Sequence, residues 1–135
     1  GRPCEIGWFP AKVTGIERGG VEVFEITKAP EVGDLFTKPN KVAQIHFDDA
    51  WTQPDASIIL LATIAGGADV GIGLFRHGKG TYVLTSIENE SVADVTVNTP
   101  IMENLIHYAV KLIEAQPVEA KGKLPTVWGR IKSSY

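Results

Sequence analysis

The sequence predicts an α/β domain, a mixed and largely β sheet covered by one C-terminal helix, with α+β as the alternative. Three apolar runs carry that prediction: Ser57–Ala65, Val70–Phe75 and Thr81–Ile87. Two glycine turns separate them, and a helical repeat follows at residues 99–115.

Taken in order, residues 1–30 read as short strands. VEVFEIT, residues 21–27, alternates apolar and polar positions, and Gly19-Gly20 suits a tight hairpin because glycine reaches positive φ without a Cβ clash. Lys28 to Asn40 is loop-like, punctuated by Pro30, Gly33 and Pro39, with one helical turn at most around Val32–Phe36. VAQIHF, residues 42–47, reads as a strand. Asp48 to Pro54 reads as a polar loop that exposes Trp51.

The run SIILLATIA is almost unbroken in apolar residues, as a strand buried on both faces would be. Pro54 before it, Gly66-Gly67 after it and its β-branched content favour a strand over a buried helix. In VGIGLF, Gly71 and Gly73 suggest a bend or a close backbone neighbour. His77-Gly78-Lys79-Gly80 turns the chain into TYVLTSI, which is expected as another interior strand.

The helix is expected over Thr99–Ala115. Thr99 is the candidate N-cap and Pro100 falls at the first helical position, where its missing N–H costs nothing. Ile101, Leu105, Tyr108, Ala109 and Leu112 repeat at three and four residues, with Met102, Ile106 and Ile113 widening the stripe. Glu103, Asn104, Lys111 and Glu114 would fill the polar face, and Pro117 ends the helix. Residues 1–116 thus read as a single domain, and 117–135 as a C-terminal extension with one apolar patch at Val127, Trp128 and Ile131.

A chain of 135 residues is long enough to bury a sizeable core, and 44% hydrophobic with 21% charged residues is ordinary globular composition. A net charge of −3 without a basic face argues against a nucleic-acid partner, and no apolar run is long enough to cross a membrane as a helix. The lone Cys4 excludes an internal disulfide and a CxxC motif, and no cofactor is implied. With Gly1 in place of a start methionine and no signal-peptide core after it, the chain is expected to be a processed product or part of a larger protein.

One resemblance emerges from the apolar half. Phe75-Arg76-His77-Gly78-Lys79-Gly80-Thr81-Tyr82-Val83-Leu84-Thr85-Ser86, followed by Thr99-Pro100, Leu105-Ile106 and Tyr108-Ala109, resembles the C-terminal half of glutamine-amidotransferase-like domains. These include the ThuA-like proteins and domains appended to bacterial glycoside hydrolases such as β-galactosidases. The tail LPTVWGRIKSS is similar to the ending of some such glycosidases. The match covers roughly 60 residues, and residues 1–45 poorly. It implies a class I amidotransferase-like fold. A working amidotransferase also carries a nucleophilic cysteine on a strained elbow and a later histidine element. Cys4 lacks an elbow's glycine framing, and Thr85–Glu90 carries carboxylates but no histidine. The resemblance therefore implies a non-catalytic accessory domain of a carbohydrate-active enzyme. Its partners would be other domains or subunits of that enzyme, with carbohydrate as the ligand class.

The candidate site residues come from local chemistry. His46, Asp48 and Asp49 could ligate a metal, since an imidazole and two carboxylates lie within four residues; a solvated loop is the plainer reading. Glu88 and Glu90 could act as a general acid/base pair, and either that pair or the His46/Asp48/Asp49 group would make the chain a catalytic fragment or subunit of a hydrolase. His77 and Lys79 could hold an anion in their glycine turn, although a plain hairpin is the favoured reading. Trp51 could stack on a sugar ring. A third possibility is a stand-alone interaction module built on the N-terminal hairpins.

Overall fold

The computed structural model of the chain describes residues 3–4, 9–21 and 23–115. Among them seven strands form one sheet: β1 (Pro3–Cys4), β2 (Thr14–Val21), β3 (Phe24–Ile26), β4 (Phe47–Thr52), β5 (Ile59–Ile64), β6 (Asp69–His77) and β7 (Gly80–Thr85). One helix follows, α1 (Val92–Glu114). The strand order is β1-β2-β4-β6-β5-β3 with β7 also on β6, and every pairing is antiparallel. This open antiparallel sheet with one C-terminal helix fits the expected mixed α/β or α+β class. No described helix is long and apolar enough to cross a membrane.

β5 and β6 are the centre of the sheet, and their burial follows from their composition. Leu61, Ala62, Thr63 and Ile64 are buried in succession, as an uninterrupted apolar run requires. The expected turn at Gly66-Gly67 joins Ile64 to Asp69, with both glycines at positive φ. Gly71 marks the close approach its sequence position suggested. A Cβ there would lie 2.9 Å from the Phe47 ring and 3.1 Å from Ile64.

The main core lies between one sheet face, α1 and the segment 32–45, and includes Leu35, Ile45, Phe47, Leu61, Ile72, Leu74 and Ile101. Phe75, adjacent to Leu74 on β6, points the other way into a smaller cluster with Phe9 and Ile58.

Several local expectations fail for identifiable reasons. β2 runs straight through Gly19-Gly20, so no hairpin forms there. Five residues from Glu17 to Val21 oppose only three from Asp49 to Phe47, and the glycines lie in that bulge. Of VEVFEIT, Val21 ends β2 and Phe24–Ile26 forms β3. The chain at 41–46 is irregular, and the strand starts where the polar loop was expected, placing Asp48, Asp49 and Trp51 within β4. β7 is not an interior strand. It pairs only β6 among the named strands, and its residues alternate in exposure with Tyr82 on the open side.

The helix begins eight residues earlier than the proline suggests. Ser91 is the N-cap: its side chain accepts from the Asp94 N–H, and the Asp94 carboxylate accepts from the Ser91 N–H, a capping box. Pro100 then lies inside α1, removing only the bond to the carbonyl of the exposed Thr96. The hydroxyl of Thr99 caps nothing and donates back to the Val95 carbonyl at 2.7 Å. Asn104, expected on the polar face, is fully buried, whereas Met102, Ile106 and Ile113 are exposed rather than extending the buried stripe. The extension 117–135 with its patch at Val127, Trp128 and Ile131 lies outside the described residues.

Two measurements check this account. Ser91→Ala should lower stability by about 1 kcal/mol in urea denaturation, with Thr99→Ala changing it by less than ~0.5 kcal/mol. Gly71→Ala should cost about 1–3 kcal/mol, because the Phe47 ring has to move for the methyl group to fit.

Candidate functional site

The polar side chains of this chain converge where β4 and β7 meet the N-terminus of α1. After Thr85 the chain continues along β4: the Ser86 carbonyl accepts from Asp48 N, and Glu88 N donates to the His46 carbonyl at 2.9 Å. Both segments therefore arrive beside the first turn of the helix. There the side chain of Asn98, fully buried, joins them. Its Oδ1 accepts from His46 N at 2.8 Å, and its Nδ2 donates to the carbonyls of His46 at 3.1 Å and Glu88 at 2.5 Å.

His46 and Asp94 form a direct pair, with Nδ1 and Oδ1 separated by 2.9 Å. The second oxygen of Asp94 takes the hydroxyl and the N–H of Ser91. The Ser91 hydroxyl, then the His46 ring, hold the Asp94 carboxyl below its ordinary pKa. An ionised carboxylate only accepts, so Nδ1 of His46 carries the proton it shares. Glu88 is shifted the other way. Desolvation raises its pKa, and the charges of Asp94, Asp48 and Glu90 raise it further against the opposing pull of His46.

This arrangement holds an imidazole oriented by a carboxylate beside a glutamic acid that keeps its proton to higher pH. Those are the ingredients of general acid/base chemistry. It is not a nucleophile relay, because the Ser91 hydroxyl is turned to Asp94 and the cap.

The other sequence candidates are dispersed. Asp48 and Asp49 are neighbours on β4 and point to opposite faces, so they do not converge with His46 on one ion. Among the described residues no group of three or more His, Cys, Asp or Glu side chains could hold a metal. Glu88 is half-buried and Glu90 exposed, in the loop between β7 and α1 rather than on a strand. His77 ends β6 and Lys79 lies in the tight two-residue turn Gly78-Lys79, with Gly78 at φ +57° and the His77 ring stacked on Phe75 at 5.9 Å. Trp51 is no exposed platform: it is half-buried between Gly15 on β2 and Val70 on β6, and its buried Nε1 has no hydrogen-bond partner. Cys4 is in the extended backbone of β1, opposite Gly15.

Reading the sequence by motif found His46 and Glu88 but missed Ser91, Asp94 and Asn98. The phrase Ser91-Val92-Ala93-Asp94 before an apolar run is the capping-box signal that could have found the first two. Asn98 carries no comparable local mark.

A second feature lies on the outer side of α1. Asn89, Val95, Thr99, Met102, Glu103 and Ile106 line an open groove of about 280 Å³.

No protein-family model, curated protein or solved structure matches this chain.

The cluster is testable by titration and by mutation. Asp94, with its lowered pKa, contributes stability that is complete above the unfolded value of about 3.9 and is lost as pH falls through the folded value. Asp94→Asn should therefore flatten the acid limb of a stability–pH curve. Glu88 acts oppositely, since its native state holds the proton longer. Stability should fall as pH rises from about 4.3 through the raised value, and Glu88→Gln should remove that fall. Asn98→Asp keeps the shape but sets a carboxylate against two carbonyls, and should cost about 3 kcal/mol in urea denaturation.

Proposed function

We propose that this chain is a non-catalytic accessory domain, of amidotransferase-like descent, within a larger carbohydrate-active enzyme, where it supplies contacts between domains or subunits. One observation carries the non-catalytic part: both oxygens of Asp94 are engaged, one by Ser91 and one by His46, in the same bonds that start α1 and hold it against the sheet. The side chains that could do chemistry are thereby used as a structural fastener. The enzyme class rests on the resemblance of β6, β7 and α1 to appended amidotransferase-like domains. The half-burial of Trp51 is the reason carbohydrate binding is the weaker variant.

A hydrolase is the second reading, favoured by the raised pKa of Glu88 beside the His46–Asp94 pair. The two separate in one experiment. The chain is assayed against nitrophenyl glycosides and glutamine, alongside Glu88→Gln. An accessory domain gives no turnover above the blank with either protein. Turnover that Glu88→Gln lowers by about 100-fold or more, the range general acid catalysis supplies, would establish the hydrolase instead.

A further inference from the structure

α1 has two apolar faces, and only one is covered by the sheet. On the other, Val92, Val95, Met102, Ile106, Val110 and Ile113 are exposed, with Ile106 at 67% and Ile113 at 69%. The face is ordered as well as apolar. Val92, Val95, Thr99, Met102, Ile106 and Ile113 fall at the a and d positions of one heptad frame, and Ala109 fills the remaining place. That frame runs the whole length of a helix about 34 Å long. Thr99, the single polar residue in it, donates its hydroxyl to the Val95 carbonyl, so it can be covered without leaving a donor unpaired. Scattered apolar residues need no explanation, but a continuous seam lining a groove does.

We propose that this seam pairs with the same seam on a second copy of the chain, the two α1 helices lying antiparallel about a twofold axis. A heptad seam is its own complement, because each knob needs a hole built by a seam of the same spacing. The size also fits. The exposed parts of the six apolar side chains come to roughly 600 Å² per copy, so pairing removes about 1,200 Å² from water, where stable interfaces begin. Centred between Met102 and Glu103, the register sets Val92 of one copy against Ile113 of the other, and Thr99 against Ile106. It brings the C-terminal end of each helix, with Glu114, beside the N-terminal turn of the other, so the helix dipoles oppose. Parallel pairing would set like poles side by side. Glu103 borders the seam near its centre without obstructing it. Its carboxylate accepts from the Asn40 side chain at 2.7 Å, and Asn40 is held by Asn104, about 200° around the helix from Ile106. The pairing rests on the accessory reading for its purpose, a contact between subunits. It fails separately, because mass and cross-linking test the pairing and turnover tests that reading.

Sedimentation equilibrium of the full chain from about 1 to 500 μM tests it, the range a small interface calls for. The mass should rise from one chain to two. Ile106→Glu and Val92→Glu, both at exposed positions, should each weaken association at least ~100-fold with the circular dichroism unchanged, since each buries an unpaired carboxylate in the seam. Val23→Glu, at an exposed position ahead of β3, should leave association as it is. In a Cys4→Ser background under mild oxidation, Val92→Cys chains should form disulfides with Ile113→Cys chains, and neither should do so with itself. A chain that stays monomeric throughout the range would overturn the proposal. So would a dimer that either glutamate variant on the seam leaves intact, or disulfides between like cysteines, which would make the helices parallel.

Discussion

Two buried asparagines on α1 hold the structure together where strands do not. The Asn98 amide pairs with the N–H and carbonyl of His46, and the Asn104 amide pairs with the N–H and carbonyl of Asn40 while also donating to the Leu35 carbonyl. In both cases a side-chain amide copies what a neighbouring strand would offer, one acceptor and one donor to the same residue. The segment 35–46 can therefore be irregular and still have its buried polar groups satisfied. Both amides are fully buried, so losing either leaves donors and acceptors that water cannot reach. Tyr108 adds a third tie, its hydroxyl donating to the Glu31 carbonyl at 2.6 Å, and Lys111 a fourth at Asp34.

From these ties follows the placement of everything else. With α1 anchored at Asn98 and Asn104, Ile101 between them is driven into the core against the sheet. The same anchoring lines the first turn of the helix up with His46 and Glu88. β6 contributes by pairing with three strands: β5 along one side, and β7 and the end of β4 along the other. That fork lets the chain leaving β7 run beside the chain entering β4, which is how two segments some forty residues apart reach one helix N-terminus.

The electrostatics of that junction then divide its carboxylates. Asp94 has three donors on it, which hold its pKa down; Glu88 has burial and three carboxylates around it, which push its pKa up. The division arises from positions the fold requires in any case, since Asp94 is the third residue of a capped helix and Glu88 ends the pairing with β4. A junction of this kind serves the fold first, and that is the physical ground for reading the domain as an accessory one.

The sequence by itself determined the centre of the sheet, its turns and the existence of the helix. SIILLATIA, VGIGLF and the glycine pairs carry local, strong signals: continuous apolarity and positions only glycine fills well, such as Gly71 against Phe47. Part of the site was legible in the same way: Glu88 and Glu90 were open to view, whereas the Ser91–Asp94 capping phrase was outweighed by Thr99-Pro100, the stronger local start signal. Tertiary structure decided the rest. Whether 42–47 is a strand depended on Asn98, more than fifty residues away, offering its amide to the backbone of His46, with Asn104 doing the same just upstream at Asn40. Whether Trp51 is a platform or half-buried depended on β2 and β6 flanking it. Pro100 looked like a helix start because a proline's local preference is for the first turn, yet a capping box upstream and the packing of Ile101 outweigh one missing hydrogen bond. Periodicity shows that a helix has apolar positions. It does not show which of two apolar faces the sheet covers, because that is set by the partners that arrive from elsewhere in the chain.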